Sequence, residues 1–253
     1  MLGVAHVGRP RQGGNAVVKV DARSERWREH RKKVRNDIVE AAFRAIDRLG
    51  PEVSVREIAE EAGTAKPKIY RHFTDKADLL QAIGVRLRDM LSVAIFESID
   101  PATNSAREII RRAVEEYVNL VDLHPNVLRV FIQGRFAMQS QSTVRVFDEG
   151  RQIMLAMAEM FNNELREAGL DRASLELAAF GAFGSAASAT EWWLGPKPES
   201  PQRMPREAFV AHLTTIMMGV ILGTAEVLGI KMDPEQPIHN AVPLNSAARS
   251  TRR

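Results

Sequence analysis

The sequence predicts an all-α protein: an N-terminal helix-turn-helix followed by a helical bundle. Three observations carry that prediction. No run of β-branched residues alternates with polar ones between turn residues, so no strand is signalled. Apolar residues recur at helical spacing along most of the chain. Two very short helices, parted by a glycine, stand between long ones. The 253 residues allow one or two domains. A composition of 45% hydrophobic and 26% charged residues excludes wholesale disorder and a many-span membrane protein. Cysteine is absent, which removes disulfides, thiolate zinc sites and cysteine nucleophiles and fits a reducing cytoplasm. The six histidines show no HExxH-like spacing, so neither a metal nor another cofactor is expected.

Charge is unevenly spread. Residues 1–35 hold ten Lys/Arg against three acids, whereas the rest of the chain is slightly acidic. A basic arm before a near-neutral body suggests phosphate contact; a solvated leader is the plainer alternative. Arg31, Lys32 and Lys33 lie nearest the segment that follows.

The first long helix spans about 27–49, with Val34, Ile38, Ala42, Ala45 and Ile46 on one face, and Gly50-Pro51 ends it. Ser54-Val55-Arg56-Glu57 is a capping box opening a short helix that Gly63 stops. A second short helix covers about 65–72. The next begins at Asp75 or Lys76 and runs to about Ser98, where Asp100-Pro101 follows. Long helices at about 105–123, 126–139, 143–168, 172–194 and 206–229 form the body, and the proline-rich 195–205 is a loop. From Pro234 the tail has no periodic apolar face and reads as disordered. The predicted organisation is therefore a disordered basic arm (1–25), a helix-turn-helix domain (26–75), a helical-bundle domain (76–232) and a disordered tail (233–253).

The informative stretch is 54–73. Two helices of under ten residues are too short to be stable alone, and they make sense packed as a helix-turn-helix on the helix before them. Val55, Ile58, Ala59, Ala62 and Ile69 would form the shared core, with Phe73 behind. The outward face of the second helix is then Thr64, Lys66, Pro67, Lys68, Tyr70, Arg71 and His72, a basic set suited to phosphates and base edges. For Tyr70, packing and DNA contact are both open.

The stretch SVREIAEEAGTAKPKIYRHFTDKADLLQAI closely resembles the DNA-binding domain of TetR-like transcriptional regulators, the tetracycline-repressor family. The resemblance rests on the IA-x-x-AG turn, the IYRHF ending of the recognition helix and the T-D-K-x-x-L opening of the next, and covers roughly 34–90. It implies that Ser54 caps the first short helix and gives a phosphate hydrogen bond. Thr64, Lys66 and Lys68 would lie at the groove, Tyr70 and His72 would grip the backbone, and Lys76 would meet a phosphate. Family members often carry serine at the position of Ala65; alanine cannot cap, so Thr64 or a shifted helix start would take over.

One reader buries too little surface for specificity, so a homodimer on a palindromic double-stranded DNA operator is expected. Residues 208–225 carry no formal charge, nearly a membrane span by length, but His212, Thr214, Thr215 and the lack of a second span argue against a membrane. Gly181, Ser185 and Ala189 on one helix, and Thr215, Gly219 and Gly223 on the next, form small-residue faces. They read as a dimer interface, with intrachain packing as the alternative.

The middle helices are expected to enclose an effector cavity from stripes including Phe131 and Met138, then Phe147, Met154, Met157 and Phe161, then Phe180, Phe183 and Trp193. Plain core is the alternative for each. Arg135 and Arg151 sit within these stripes. Snorkelling explains them simply; buried, they would need an acidic partner such as a fatty acid or acyl thioester. The combined expectation is a one-component repressor released by a small hydrophobic effector. The rivals are a helical enzyme or lipid carrier, for which no catalytic cluster is found, and an architectural DNA binder without effector.

Overall fold

The structure, a computed structural model, describes residues 22–137, 151–160, 172–197 and 200–241; the side chains of 22–24 and 133–137 are not among those described. Its elements are α1 (Ala22–Leu49), α2 (Val55–Glu61), α3 (Lys66–Ile69), α4 (Lys76–Ser98), α5 (Ala106–Leu123), α6 (Pro125–Ala137), α7 (described at 151–160), α8 (Arg172–Leu194) and α9 (Arg206–Val227). A short 3-10 turn at Ile238–Asn240 follows.

Local chemistry sets the boundaries. Ser54 caps α2 by accepting from the Glu57 amide, while the Glu57 carboxylate takes the Ser54 amide at 2.8 Å, completing the capping box. Gly63 adopts φ +60°, a left-handed conformation that lets the chain turn between α2 and α3. Asp75 caps α4 by accepting from the Asp78 amide at 2.8 Å. Ser105 caps α5 in the same way through the Glu108 amide.

Two cores form. In the first, Ile38, Ala42 and Ile46 of α1 meet Val55, Ile58, Ile69, Phe73, Leu79 and Ile83. In the second, α5, α8 and α9 pack with the far end of α4, from Ile95. The expected division at residue 75 therefore does not match the packing, because the first turns of α4 belong to the reader's core. Val127 of α6 is fully buried in that same core, and Phe131 packs against it. Helix α6 thus inserts the body into the reader. His124, at the turn before α6, bonds Asp47 of α1 at 2.5 Å, and Asn126 donates to the Asp47 carbonyl at 3.0 Å.

Three boundaries differ from expectation. Helix α1 starts at Ala22, so residues 22–25 are helical rather than part of a disordered arm; nothing in that stretch breaks a helix. Helix α3 ends at Ile69, and 70–72 form a tight turn in which the Arg71 and His72 amides bond Lys68 and Ile69 carbonyls. That turn swings Phe73, 1% exposed, into the core. The expected disorder from Pro234 is also corrected for 234–241. The carbonyls of Pro234 and Gln236 accept from the Arg107 and Ala106 amides, capping α5, and Ile238 and Ala241 are fully buried. A non-helical segment that supplies carbonyls to a helix start has no periodicity to reveal it.

Candidate nucleic-acid interface and ligand cavity

Ile69, 1% exposed, anchors α3 to the reader's core, and its neighbours point outward. Lys66, Pro67, Lys68, Tyr70 and Arg71 are exposed, as are Arg31, Lys32 and Lys33 on α1, and Thr64 is half-buried. Tyr70 is 42% exposed with the Lys66 ammonium 5.9 Å from its ring, so packing does not account for it. Ala65 stands at the N-cap of α3 without a side-chain cap, and neither Thr64 nor a shifted start replaces it. Pro67 in the first turn has no amide to satisfy, which lowers the cost.

Two expected phosphate contacts are placed differently. The Lys76 ammonium donates to the Val53 carbonyl at 3.2 Å, pinning the start of α4 to the loop before α2. His72 is half-buried, and its Nδ1 is enclosed without a hydrogen-bond partner. Burial, then the charges of Arg31, Lys68, Arg35 and His30, hold its pKa below the ordinary value. Ser54 keeps its hydroxyl at the surface, but its oxygen serves the α2 cap first.

Arg35, counted in sequence only as one more basic residue, is the joint of the reader. Its guanidinium lies 4.0 Å from the Phe73 ring centroid, donates to the His72 carbonyl and pairs with Asp78 at 2.6 Å. Burial would raise the Asp78 pKa, but hydrogen bonds from Arg35 and the Thr74 amide take it below the ordinary value. One side chain thereby fixes α1, the turn after α3 and α4 together. Its partners at i+37, i+38 and i+43 are invisible to local pattern.

Helices α4 to α9 line an apolar cavity of about 140 Å³. Phe131, Met154, Met157 and Phe183 line it, as expected. Phe180 does not; it is 50% exposed beneath the Arg151 guanidinium, 4.1 Å away. Trp193 is core: fully buried, stacked on Phe209 at 4.4 Å, its indole donating to the Met204 carbonyl. Arg151, spent on the Phe180 ring, is not a lining residue either. Met138, Phe147, Phe161 and the Arg135 side chain lie outside the described residues. Sequence reasoning missed the α4, α5 and α9 walls, including Leu87, Leu91, Tyr117 and Met217. The charged lining residue among those described is Arg88, bonded to Asp89 at 2.6 Å and to Gln152 at 3.1 Å.

The small-residue faces also separate. Gly181, Thr215, Gly219 and Gly223 are exposed and Ser185 is half-buried. Ala189 instead packs on the body's core. A Cβ added at Gly181, Gly219 or Gly223 would meet nothing within 4 Å, so these glycines serve no close approach within the chain. The hydroxyls of Ser185 and Thr215 bond back to the carbonyls of Gly181 and Ala211. Helix α9, long and apolar enough to cross a membrane, packs instead on α5 and α8.

A helix-turn-helix with a basic exposed recognition helix, joined through α4 and α6 to a cavity-bearing helical body, defines a DNA-binding regulator. Residues 38–83 match the family model described as bacterial regulatory proteins, tetR family. An HTH-type transcriptional regulator of Mycobacterium tuberculosis is 30% identical over 222 residues, covering 87% of this chain and 92% of that protein. A TetR-family regulator from Streptomyces coelicolor superposes with a TM-score of 0.60 at 25% identity, over 78% of this chain and 86% of that one. The Bacillus subtilis regulator FadR, solved in complex with stearoyl-CoA, shares the fold with a TM-score of 0.54 at 19% identity, over 74% of this chain and 97% of its own. The chain belongs to the TetR family of helix-turn-helix transcriptional regulators, which are not enzymes.

Proposed function

We propose that this protein is a one-component cytoplasmic repressor that binds a palindromic operator as a homodimer and is released by a small hydrophobic effector. The observation that carries the reading is the apolar cavity whose wall residue Phe131 also packs against the reader's core. A molecule filling that space acts on α6, and α6 bears on α1 through Val127, His124 and Asn126. Effector binding then favours a spacing of the two readers that misses successive major grooves, about 34 Å apart. Repression is the sign proposed because occupancy of an operator blocks transcription without further contacts.

The second copy is proposed to cover the open face of α8 and α9. There Leu177 is 75% exposed and Ile216 44%, beside glycines that leave the surface flat. The DNA contacts are proposed to come from Arg31, Lys32, Lys33, Thr64, Lys66, Lys68, Tyr70 and Arg71, with Ser54 and His72 at the edges. An acidic head on the effector has lost its expected partner in Arg151, and Arg88 takes that place in the reading. The test combines two assays on one preparation. A gel shift on the DNA just upstream of the gene should show a dimer on an inverted repeat. Stearoyl-CoA, stearic acid or a neutral apolar analogue should raise the melting temperature and release that DNA. An apolar ligand that stabilises the protein but leaves the complex intact would refute release.

A further inference from the structure

The cavity wall carries a hydroxyl that the fold does not use up. Tyr117 of α5 lies deep among the helices yet keeps accessible surface, and it lines the cavity. Its hydroxyl meets the Thr190 hydroxyl of α8, itself fully buried, at 2.7 Å. Two hydroxyls bring two hydrogens, and one bond between them consumes one. Elsewhere on these helices the spare hydrogen goes back to the preceding turn, from Ser185 to Gly181, Thr215 to Ala211 and Thr224 to Val220. Thr190 makes no such bond to the Ala186 carbonyl among the described residues. One O–H therefore remains uncommitted in a water-poor, apolar wall, where an unmet donor costs about 1–3 kcal/mol. Burial pushes the Tyr117 pKa up to about 12, so the hydroxyl stays a donor at any physiological pH.

We infer that the Tyr117–Thr190 pair is a reading point for the effector, donating to an uncharged acceptor oxygen, a carbonyl or ether, carried on an otherwise apolar molecule. This rests on the proposal that the cavity is the effector site. Tyr117 supplies the cavity-facing hydrogen when Thr190 donates its own to the Tyr117 oxygen, and Thr190 sets the ring's rotation across the α5–α8 contact. An acid is a poorer fit at this point. Its charge would be stripped of water among Ile110, Val114, Leu213 and Met217 beside a neutral phenol, while Arg88, the charged lining residue, already bonds Asp89 and Gln152.

The experiment uses the full chain with diphenylhexatriene, a neutral oxygen-free fluorophore, as the displaced probe. Decane, methyl octyl ketone and decanoic acid compete against it in wild type, Tyr117→Phe and Thr190→Val, with melting temperatures recorded alongside. Expected is a ketone-to-decane affinity ratio that falls about threefold to tenfold in Tyr117→Phe, the worth of one hydrogen bond. Thr190→Val, which frees the Tyr117 O–H, should keep or raise the ratio. Decanoic acid should gain nothing from Tyr117. If Tyr117→Phe does not fold, the Thr190→Val ratio decides alone: a ratio below wild type overturns the inference. An unchanged ratio in folded Tyr117→Phe overturns it while leaving the cavity reading intact. Failure of the probe and all three competitors to bind overturns both.

Discussion

The reader and the body use their functional residues in opposite ways. In the reader, the proposed DNA contacts are side chains pushed outward by a small dense core: Lys66, Lys68, Tyr70 and Arg71 surround one buried anchor, Ile69. In the body, the proposed effector site is space left between six helices, lined by residues that fail to fill it. The reader's turns are held by paired polar groups, from the Ser54–Glu57 box to the Arg35–Asp78 joint, although His72 Nδ1 is enclosed without a partner. The body instead leaves an open glycine face on α8 and α9 and enclosed hydroxyls at Tyr117 and Thr214. A DNA site needs charge on rigid elements at fixed spacing; an effector site needs room and a way to move its walls.

The largest effect should come from the open face. Because a side chain at Gly219 meets nothing within the chain, Gly219→Leu should leave the protomer's fold alone. It should still weaken the dimer by about 1–3 kcal/mol wherever the added side chain overpacks the interface. Operator binding would then fall as the readers cease to act in pairs. Sedimentation with melting on the same sample checks this. A melting temperature that drops while the dimer persists would show intrachain packing instead, and would erase the contrast with the reader.

Next come the recognition helix variants. Lys68→Ala and Tyr70→Ala should each cost about 1–3 kcal/mol of operator affinity. Tyr70 is exposed, so its removal should leave stability nearly unchanged. Gel-shift titration of folded variants that bind as tightly as wild type would move the interface off α3.

Removing residues 1–21, which leaves α1 whole, should reduce the slope of log affinity against log salt by about 0.9 for each phosphate that the arm neutralises. Equal slopes for full-length and truncated protein would make the arm a leader with no role on DNA.

Legibility in the sequence follows the same division. The reader was readable because its information is local: a capping box, a glycine turn and an apolar anchor all fall within some twenty residues. Arg35 escaped because its partners lie 37 to 43 residues away. In the body, apolar stripes marked helices well but could not separate cavity wall from core or surface. Met154 and Phe183 reach the cavity, Trp193 fills the core and Phe180 faces outward, yet all share one spacing. The ordered 234–241 segment escaped because it works through backbone carbonyls, which every residue possesses.

Thr214 tests whether the body's unpaired hydroxyls are incidental. Its Oγ1 is enclosed without a partner, and the residue is 7% exposed. Thr214→Val keeps the shape and removes the unmet group, so stability should rise by about 1 kcal/mol. Chemical denaturation of both proteins checks this; a decrease in stability would mean that a bound water or ligand satisfies the hydroxyl.

The smallest effect belongs to His72, where reader and DNA make opposite demands on one proton. Burial first, then Arg31, Lys68, Arg35 and His30, lower its pKa in the free protein below the ordinary 6.5. A depressed folded pKa contributes stability above the unfolded value, and that stability is lost as pH falls through 6.5 toward the folded value. Wild type should therefore lose more melting temperature than His72→Gln when acidified through that window. A nearby phosphate reverses the sign, since an anion favours the charged imidazolium. With operator bound, acidification should cost wild type less than His72→Gln. Parallel curves for the two proteins in both states would remove His72 from the interface and leave it as the turn residue that brings Phe73 into the core.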